Sequence, residues 1–347
     1  MIADPRDPAA KLVYADWLLE AGDPHGAWIV LQLRGGSSAE RVALLAQMNR
    51  RLFGSERPPG IQTAWREGFL STLRIGGEGG AVGARLHKVL GERAARMLHT
   101  LIVACVGPSD EVESVVDALC ATGPHPTLRH LSLIQGSEPV RLGWHATLEP
   151  GPGLAQRLGA LWHLAAAVPG LQDLELVSGS VEVAPFSLPR LRALTIRGEL
   201  TDTLLAQLQL LDAPRLQTLR LLGGAPELDS LLQPLLVLPG LEGLETLVLR
   251  RIVRLDAILP VLLRAPLASG LRCLDLSLCR LDPDAEARTC EALAAGALPG
   301  LAWLAPWREL SVGAQVTLRE LGIQRVAGWR EDLRLHELDG GSELDRV

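Results

Sequence analysis

The chain has 347 residues, 48% hydrophobic but only 3% aromatic, so a large core can be buried and it must be aliphatic. A formal charge of −6, from 34 Lys and Arg against 40 Asp and Glu, gives no basis for binding nucleic acid or a membrane surface. The five cysteines are odd in number and lack C-x-x-C spacing, which argues against a disulfide framework or zinc site and fits free thiols in a reducing cytoplasm. The start, Met1-Ile2-Ala3-Asp4-Pro5, is neither basic nor apolar, so no secretory signal is read. The longest apolar stretch, 158–171, contains His163 and Pro169 and is too short to span a bilayer.

The first predicted elements are helical. Leu12, Trp17, Leu18 and Leu19 mark a helix ended at Gly22, and residues 27–33 begin a second, capped and aimed by Asp23-Pro24. The two are expected to form a hairpin with Tyr14, Trp17 and Trp28 at its centre. A third helical stretch covers 40–53, and Pro58-Pro59-Gly60 is the expected module boundary.

From about residue 70 one pattern recurs: a leucine, two variable residues, then L-x-L or a close variant. It starts at Leu70, Leu98, Leu128, Leu171, Leu191, Leu216, Leu244 and Leu271, and in degraded form at Leu301. The steps are 20 to 30 residues long except one of 43, after Leu128, which contains an insertion. In L-x-x-L-x-L the last two leucines lie two apart and share one face of a strand, while the residues between them share the other. Such a strand cannot bury its face alone, so successive units stack into a parallel sheet. Between strands, helices are predicted over 81–97, 109–121, 153–168, 201–211 and 283–295, the last capped by Asp282. Prolines 169, 189, 214, 239 and 299 stop helices ahead of strands.

These units resemble the leucine-rich repeat family, in its strand–helix class like ribonuclease inhibitor. The best match is Leu271-Arg272-Cys273-Leu274-Asp275-Leu276-Ser277-Leu278-Cys279-Arg280-Leu281, with Cys279 where the family carries Asn or Cys. Asn49 is the only asparagine, so the family's ladder of buried asparagines is missing. The first residues resemble the short bacterial repeat-companion domain. The match lies in Asp4-Pro5, Leu12-Val13-Tyr14-Ala15-Asp16-Trp17-Leu18, Glu20, Gly22-Asp23-Pro24, Gly26, Ile29 and Leu31-Gln32, and again in Trp65-Arg66-Glu67-Gly68-Phe69-Leu70. Together the resemblances imply an α/β leucine-rich repeat solenoid, a horseshoe with parallel strands on the concave side and helices outside. They imply a helical cap over 1–60, repeats over 61–330 and a polar tail over 331–347.

Catalytic chemistry finds little support. The glycine-rich run Gly76–Gly83 follows a strand and precedes a helix, but matches neither G-x-G-x-x-G nor G-K-[ST], so a plain strand-to-helix turn is expected. His125 and His130 are close in sequence but separated by Pro126 and a strand start. Solvated or capping roles suit them better than a metal pair. No Ser or Cys stands beside a base with a third orienting group. Neither cofactor nor metal is expected.

What remains is a surface. By strand alternation, the residues between the buried leucines face the concave side: Arg74, His130, Asp173, Glu175, Thr195, Arg197, Arg220, Arg250, Asp275 and Trp303. Arg197, Arg220 and Arg250 fall in consecutive units and suggest an arginine track, with Arg250 up to one step out of line, beside an acidic spot at Asp173 and Glu175. Arg and Trp dominate binding hot spots. The expectation is a non-enzymatic, cytoplasmic, monomeric scaffold that binds a protein partner, and neither nucleic acid nor membrane. The alternative is a regulatory inhibitor or adaptor that blocks or recruits an enzyme.

Overall fold

A computed structural model of the chain describes residues 7–55, 60–78, 81–106, 110–136, 155–158, 163–183, 187–223, 229–250, 255–277, 279, 281–306 and 310–325. Asp4-Pro5, Pro58-Pro59, Leu278, Arg280 and the tail 331–347 lie outside them.

The three N-terminal helices are set by their caps. Asp7 accepts from the Ala9 N–H (2.8 Å) to start α1 (Pro8–Glu20), and Asp23 accepts from the His25 N–H (2.9 Å) to start α2 (Pro24–Arg34). In both, proline occupies the first turn, where its missing N–H costs nothing. A reciprocal Ser37–Glu40 capping box opens α3 (Ser38–Phe53). Trp28 is buried as expected, but Trp17 is 49% exposed. Tyr14, not Trp17, takes the inner place, stacked between Trp17 and Phe69, while Arg93 lies over the outer indole.

These helices dock on a hairpin. Strand β1 (Ile61–Arg66) runs antiparallel to β2 (Phe69–Glu78) through a two-residue turn, Glu67-Gly68, in which both residues have positive φ. The Glu67 carboxylate pairs with the buried Lys11 ammonium of α1, and the Gly68 carbonyl lies 2.8 Å from His25 Nε2 of α2. Gly68 also touches α2 directly: a Cβ there would fall 2.5 Å from the Ile29 Cα.

The remaining strands are parallel: β3 (Thr100–Val106), β4 (His130–Gly136), β5 (Ala155–Leu158), β6 (Asp173–Val183), β7 (Ala193–Glu199), β8 (Thr218–Leu222), β9 (Thr246–Arg250), β10 (Cys273–Asp275), β11 (Trp303–Ala305) and β12 (Gln324–Arg325). They pair in chain order from β1 to β12, except that β4 pairs with β6 and β5 pairs with the far end of β6. The described helices between them are α4 (Ala81–Gly91), α5 (Asp110–Ala121), α6 (Leu164–Ala167), α7 (Asp202–Leu208), α8 (Asp229–Leu236), α9 (Leu255–Leu262), α10 (Pro283–Ala294) and α11 (Val312–Glu320). Two helical predictions change. The stretch 81–97 breaks at Gly91 into α4 and a 3-10 turn, Arg93–Met97. Among its described residues, the stretch 153–168 holds a strand, β5, and the one-turn α6, because the long insertion lets 155–158 pair with Ser180–Val183.

The leucine alternation holds throughout. Leu73 and Ile75, Leu101 and Val103, Leu131 and Leu133, and their counterparts through Leu274 and Leu276 are buried in one continuous core with the inward leucines of α4 to α11. The backbone ladder that links units is equally regular. The Arg129 carbonyl accepts from the Gln172 and Asp173 N–H groups (2.8 and 2.9 Å), the Gln172 carbonyl from Arg192 and Ala193, and the Arg192 carbonyl from Gln217 and Thr218. Gln217, Glu245 and Arg272 repeat the arrangement. Each unit thus anchors the start of the next strand through main chain. At Cys279 a side chain does contribute: its Sγ donates to the Leu249 carbonyl of the preceding unit (3.1 Å).

Candidate functional site

Strand register lays the non-leucine residues of the sheet into rows on the face opposite the helices. One row runs Thr72, Thr100, His130, Asp173, Ala193, Thr218, Thr246, Cys273, Trp303. The next runs Arg74, Ile102, Ser132, Glu175, Thr195, Arg220, Val248, Asp275. A third places Val177, Arg197, Leu222 and Arg250 side by side. All ten residues expected on this face lie on it.

Their arrangement departs from a simple track. Arg220 stands beside Thr195, not Arg197, and is the residue out of line, whereas Arg197 and Arg250 share a row with Leu222 between them, about 10 Å or two strand spacings apart. The chain leaves β7 two residues later in its register than β8 presents its arginine, so the three guanidinium groups form a zigzag.

The face is also less exposed than alternation alone suggests. Thr195, Arg220 and Asp275 are 2%, 8% and 1% exposed, because neighbouring side chains less than 5 Å apart lie across one another. They engage in pairs. Asp275 accepts from Arg250 Nη2 (2.8 Å) and Nε (3.2 Å) and from the Ser277 N–H (2.9 Å). Arg220 donates to Thr195 Oγ1 (3.4 Å), Ser132 Oγ donates to Glu175 (2.8 Å), and His130 Nδ1 lies 2.6 Å from an Asp173 oxygen. Burial pushes the Cys273 thiol up, Asp275 adding and Arg220 opposing, which favours the protonated thiol. Trp303, 43% exposed, offers its indole at the β11 end.

Charge is therefore banded along the sheet. Arg74 on β2 is positive, Asp173 and Glu175 on β6 are negative, and Arg197, Arg220 and Arg250 on β7 to β9 outweigh Asp275. Sequence reasoning missed Gln62 and Thr100 on this face. Thr100 was signalled by its place just before Leu101, and Gln62, opposite Arg74, lies on an antiparallel strand outside the repeat. His125 lies away from the face, buried in the turn before β4 with Nε2 3.0 Å from Thr122 Oγ1. Among the described residues, no group of three His, Cys, Asp or Glu could hold a metal, and no helix is long and apolar enough to cross a membrane.

These features define an α/β protein with a solenoid-like repeat: mostly parallel strands in sequential order, alternating with helices, and one polar sheet face. The chain is similar in fold to the crystal structure of a Bacteroides fragilis protein, with a TM-score of 0.52 and 16% identity over 70% of this chain and 71% of that one. At that identity the likeness concerns fold alone. No family model matches the chain, and no curated protein matches it.

Proposed function

We propose that the chain is a non-enzymatic leucine-rich repeat protein, a horseshoe whose concave sheet face binds a partner protein, with α1–α3 as a cap on the first strands. Residues 1–60 are read as the cap, 61–330 as the repeats and 331–347 as a polar tail. The observation that carries the reading is the polar face itself. Across nine strands the described helices pack on one side, and the other side presents aligned bands of opposite charge ending in an exposed tryptophan. A stacked sheet offers such a face as an extended binding surface. Arg and Trp supply its anchors, and a cytoplasmic setting suits the free thiols.

Affinity capture from the native cell with mass spectrometry tests this. Arg197→Glu combined with Trp303→Ala should keep the fold and abolish recovery of the partner. Arg288→Glu, exposed on α10, should leave recovery unchanged. Arg220 is a poor choice for charge reversal, since it is buried and a change there would damage folding. Loss of recovery from Arg288→Glu alone would move the site to the helices. For the cap, deletion of 1–60 should lower the melting temperature and cause aggregation by uncovering the β1–β2 end. An equally stable, monomeric truncation would make α1–α3 a separate recognition module.

A further inference from the structure

We infer that Arg74 anchors a carboxylate site on the polar face. The inference rests on the protein-binding reading above and names the chemical group that the partner brings to the β2 end.

Arg74 is only 9% exposed, its Nε is buried without a hydrogen-bond partner, and among the described residues no ion pair or side-chain hydrogen bond engages its guanidinium. Burial alone acts on its proton affinity, pushing it down, with no neighbouring carboxylate to compensate. A guanidinium held this way costs stability unless something outside the chain pairs with it. The contrast with Arg250 is direct. Arg250 is similarly covered but has Asp275 at 2.8 Å.

The surroundings select the ligand. Gln62 lies opposite Arg74 on β1, Thr72 and Thr100 occupy the row beside it, and Ile102 flanks it on β3. These are neutral groups, three of them able to donate hydrogen bonds, and none is an acid. On β2 itself the nearest acid in the sequence is Glu78, four residues on and about 13 Å away by strand rise. On the neighbouring strands the first acids of this face are Asp173 and Glu175, three strands away at about 14 Å, and each already has a partner in His130 or Ser132. A guanidinium fork matches the two oxygens of one carboxylate. A single negative charge neutralises a single buried positive charge, whereas a phosphate dianion would leave an excess on a half-buried face already carrying two acids. The group expected is an Asp, Glu or C-terminal carboxylate of the partner. A positive group about 14 Å further along the same segment, near four residues in an extended chain, would meet Asp173 and Glu175.

Thermal unfolding of the full chain at pH 7 and fixed ionic strength tests this, with sodium acetate progressively replacing sodium chloride. The wild-type midpoint should rise saturably with acetate, as mass action requires for a ligand of the native state. Arg74→Met should melt in chloride at the same temperature as wild type or higher, and should show no acetate response. A lower midpoint for Arg74→Met in chloride would make Arg74 a structural residue and overturn the site. So would equal acetate responses in both proteins, the mark of a general solvent effect, or no response in wild type. A larger shift with sulfate than with acetate would overturn the choice of carboxylate. Partner capture separates this from the wider reading. Recovery lost in Arg197→Glu/Trp303→Ala but kept in Arg74→Met leaves the face standing and removes the anchor. Recovery kept in both removes the face itself.

Discussion

The two faces of the sheet obey different rules. The helix-covered face is made of near-equivalent leucines, each buried by the strands beside it and by a helix above, so every unit contributes in the same way. The polar face is made of individuals. Asp275 is bonded to Arg250 one strand back, Ser132 to Glu175 one strand on, and Arg74 to no side chain among the described residues. Non-directional burial tolerates any register that keeps leucines in phase, whereas hydrogen bonds and ion pairs depend on which residue stands beside which.

The largest expected effect opposes the two faces at adjacent residues. Leu247 is fully buried among leucines, while Thr246 is half-buried between Thr218 and Cys273. Leu247→Asp should unfold the chain or cost several kcal/mol, roughly 3 or more, in denaturant melts. Thr246→Asp should cost about 1 kcal/mol or less. Equal damage would mean that the two faces are not distinct in energy.

The hairpin turn is the next test, because there the comparison breaks down: polar groups, Lys11 with Glu67 and His25 with the Gly68 carbonyl, join Leu18, Ile29 and Phe69 in holding helix to sheet. Gly68→Ala sets a Cβ against Ile29 at a residue with φ of 85°, and should cost about 1–3 kcal/mol. It should also loosen α1 and α2 in hydrogen exchange. A neutral result would show that the helices are not tied to the turn.

On the polar face, Asp275→Asn keeps the shape and removes the charge beside Arg250. Melts should show a loss of about 1–3 kcal/mol. The loss should shrink when Arg250→Met is already present, as a double-mutant cycle would report. Additive losses would mean that the pair contributes nothing as a pair.

The same contrast explains what the sequence made legible. Leucine spacing locates the strands because one periodicity governs them all, and Asp23 and Asp282 mark helix starts because capping is local. Row membership on the polar face was largely readable too, since alternation places all ten residues. Their partners were not: the motif leucines stay paired from β2 to β10 whether a step is 20 residues or 43, so the motif fixes the rows but not which side chains bond across them. β5 was hidden because it lies in the insertion after Leu128, outside the motif, and β1 because an antiparallel strand carries no repeat signature. Glu67-Gly68 between Trp65 and Phe69 was the available sign of it. Trp17 misled because its size suggests a core, yet α1 turns Ala15 and Leu18 inward and leaves the indole to Arg93.

The smallest effect expected is a pH dependence at the same turn. His25 is buried beside Tyr14 and Phe69 with Nε2 on the Gly68 carbonyl, and burial holds its pKa below the ordinary 6.5. The Gly68 carbonyl and Asp23 act against that shift, while Arg51 and Arg93 add to it. A base with a depressed folded-state pKa binds fewer protons folded than unfolded, so stability rises with pH across the window below 6.5 and is lost as pH falls through it. His125, also buried and also depressed, contributes in the same direction from the turn before β4. His25→Gln should therefore flatten only part of the decline in melting temperature between about pH 6.5 and 5. The part it removes should coincide with faster hydrogen exchange in α1 and α2, leaving the leucine strands β7 to β9 unchanged. If the decline persists in full, or if exchange quickens first in those strands, the acid sensitivity belongs to the repeats and not to the polar clasp at Glu67-Gly68.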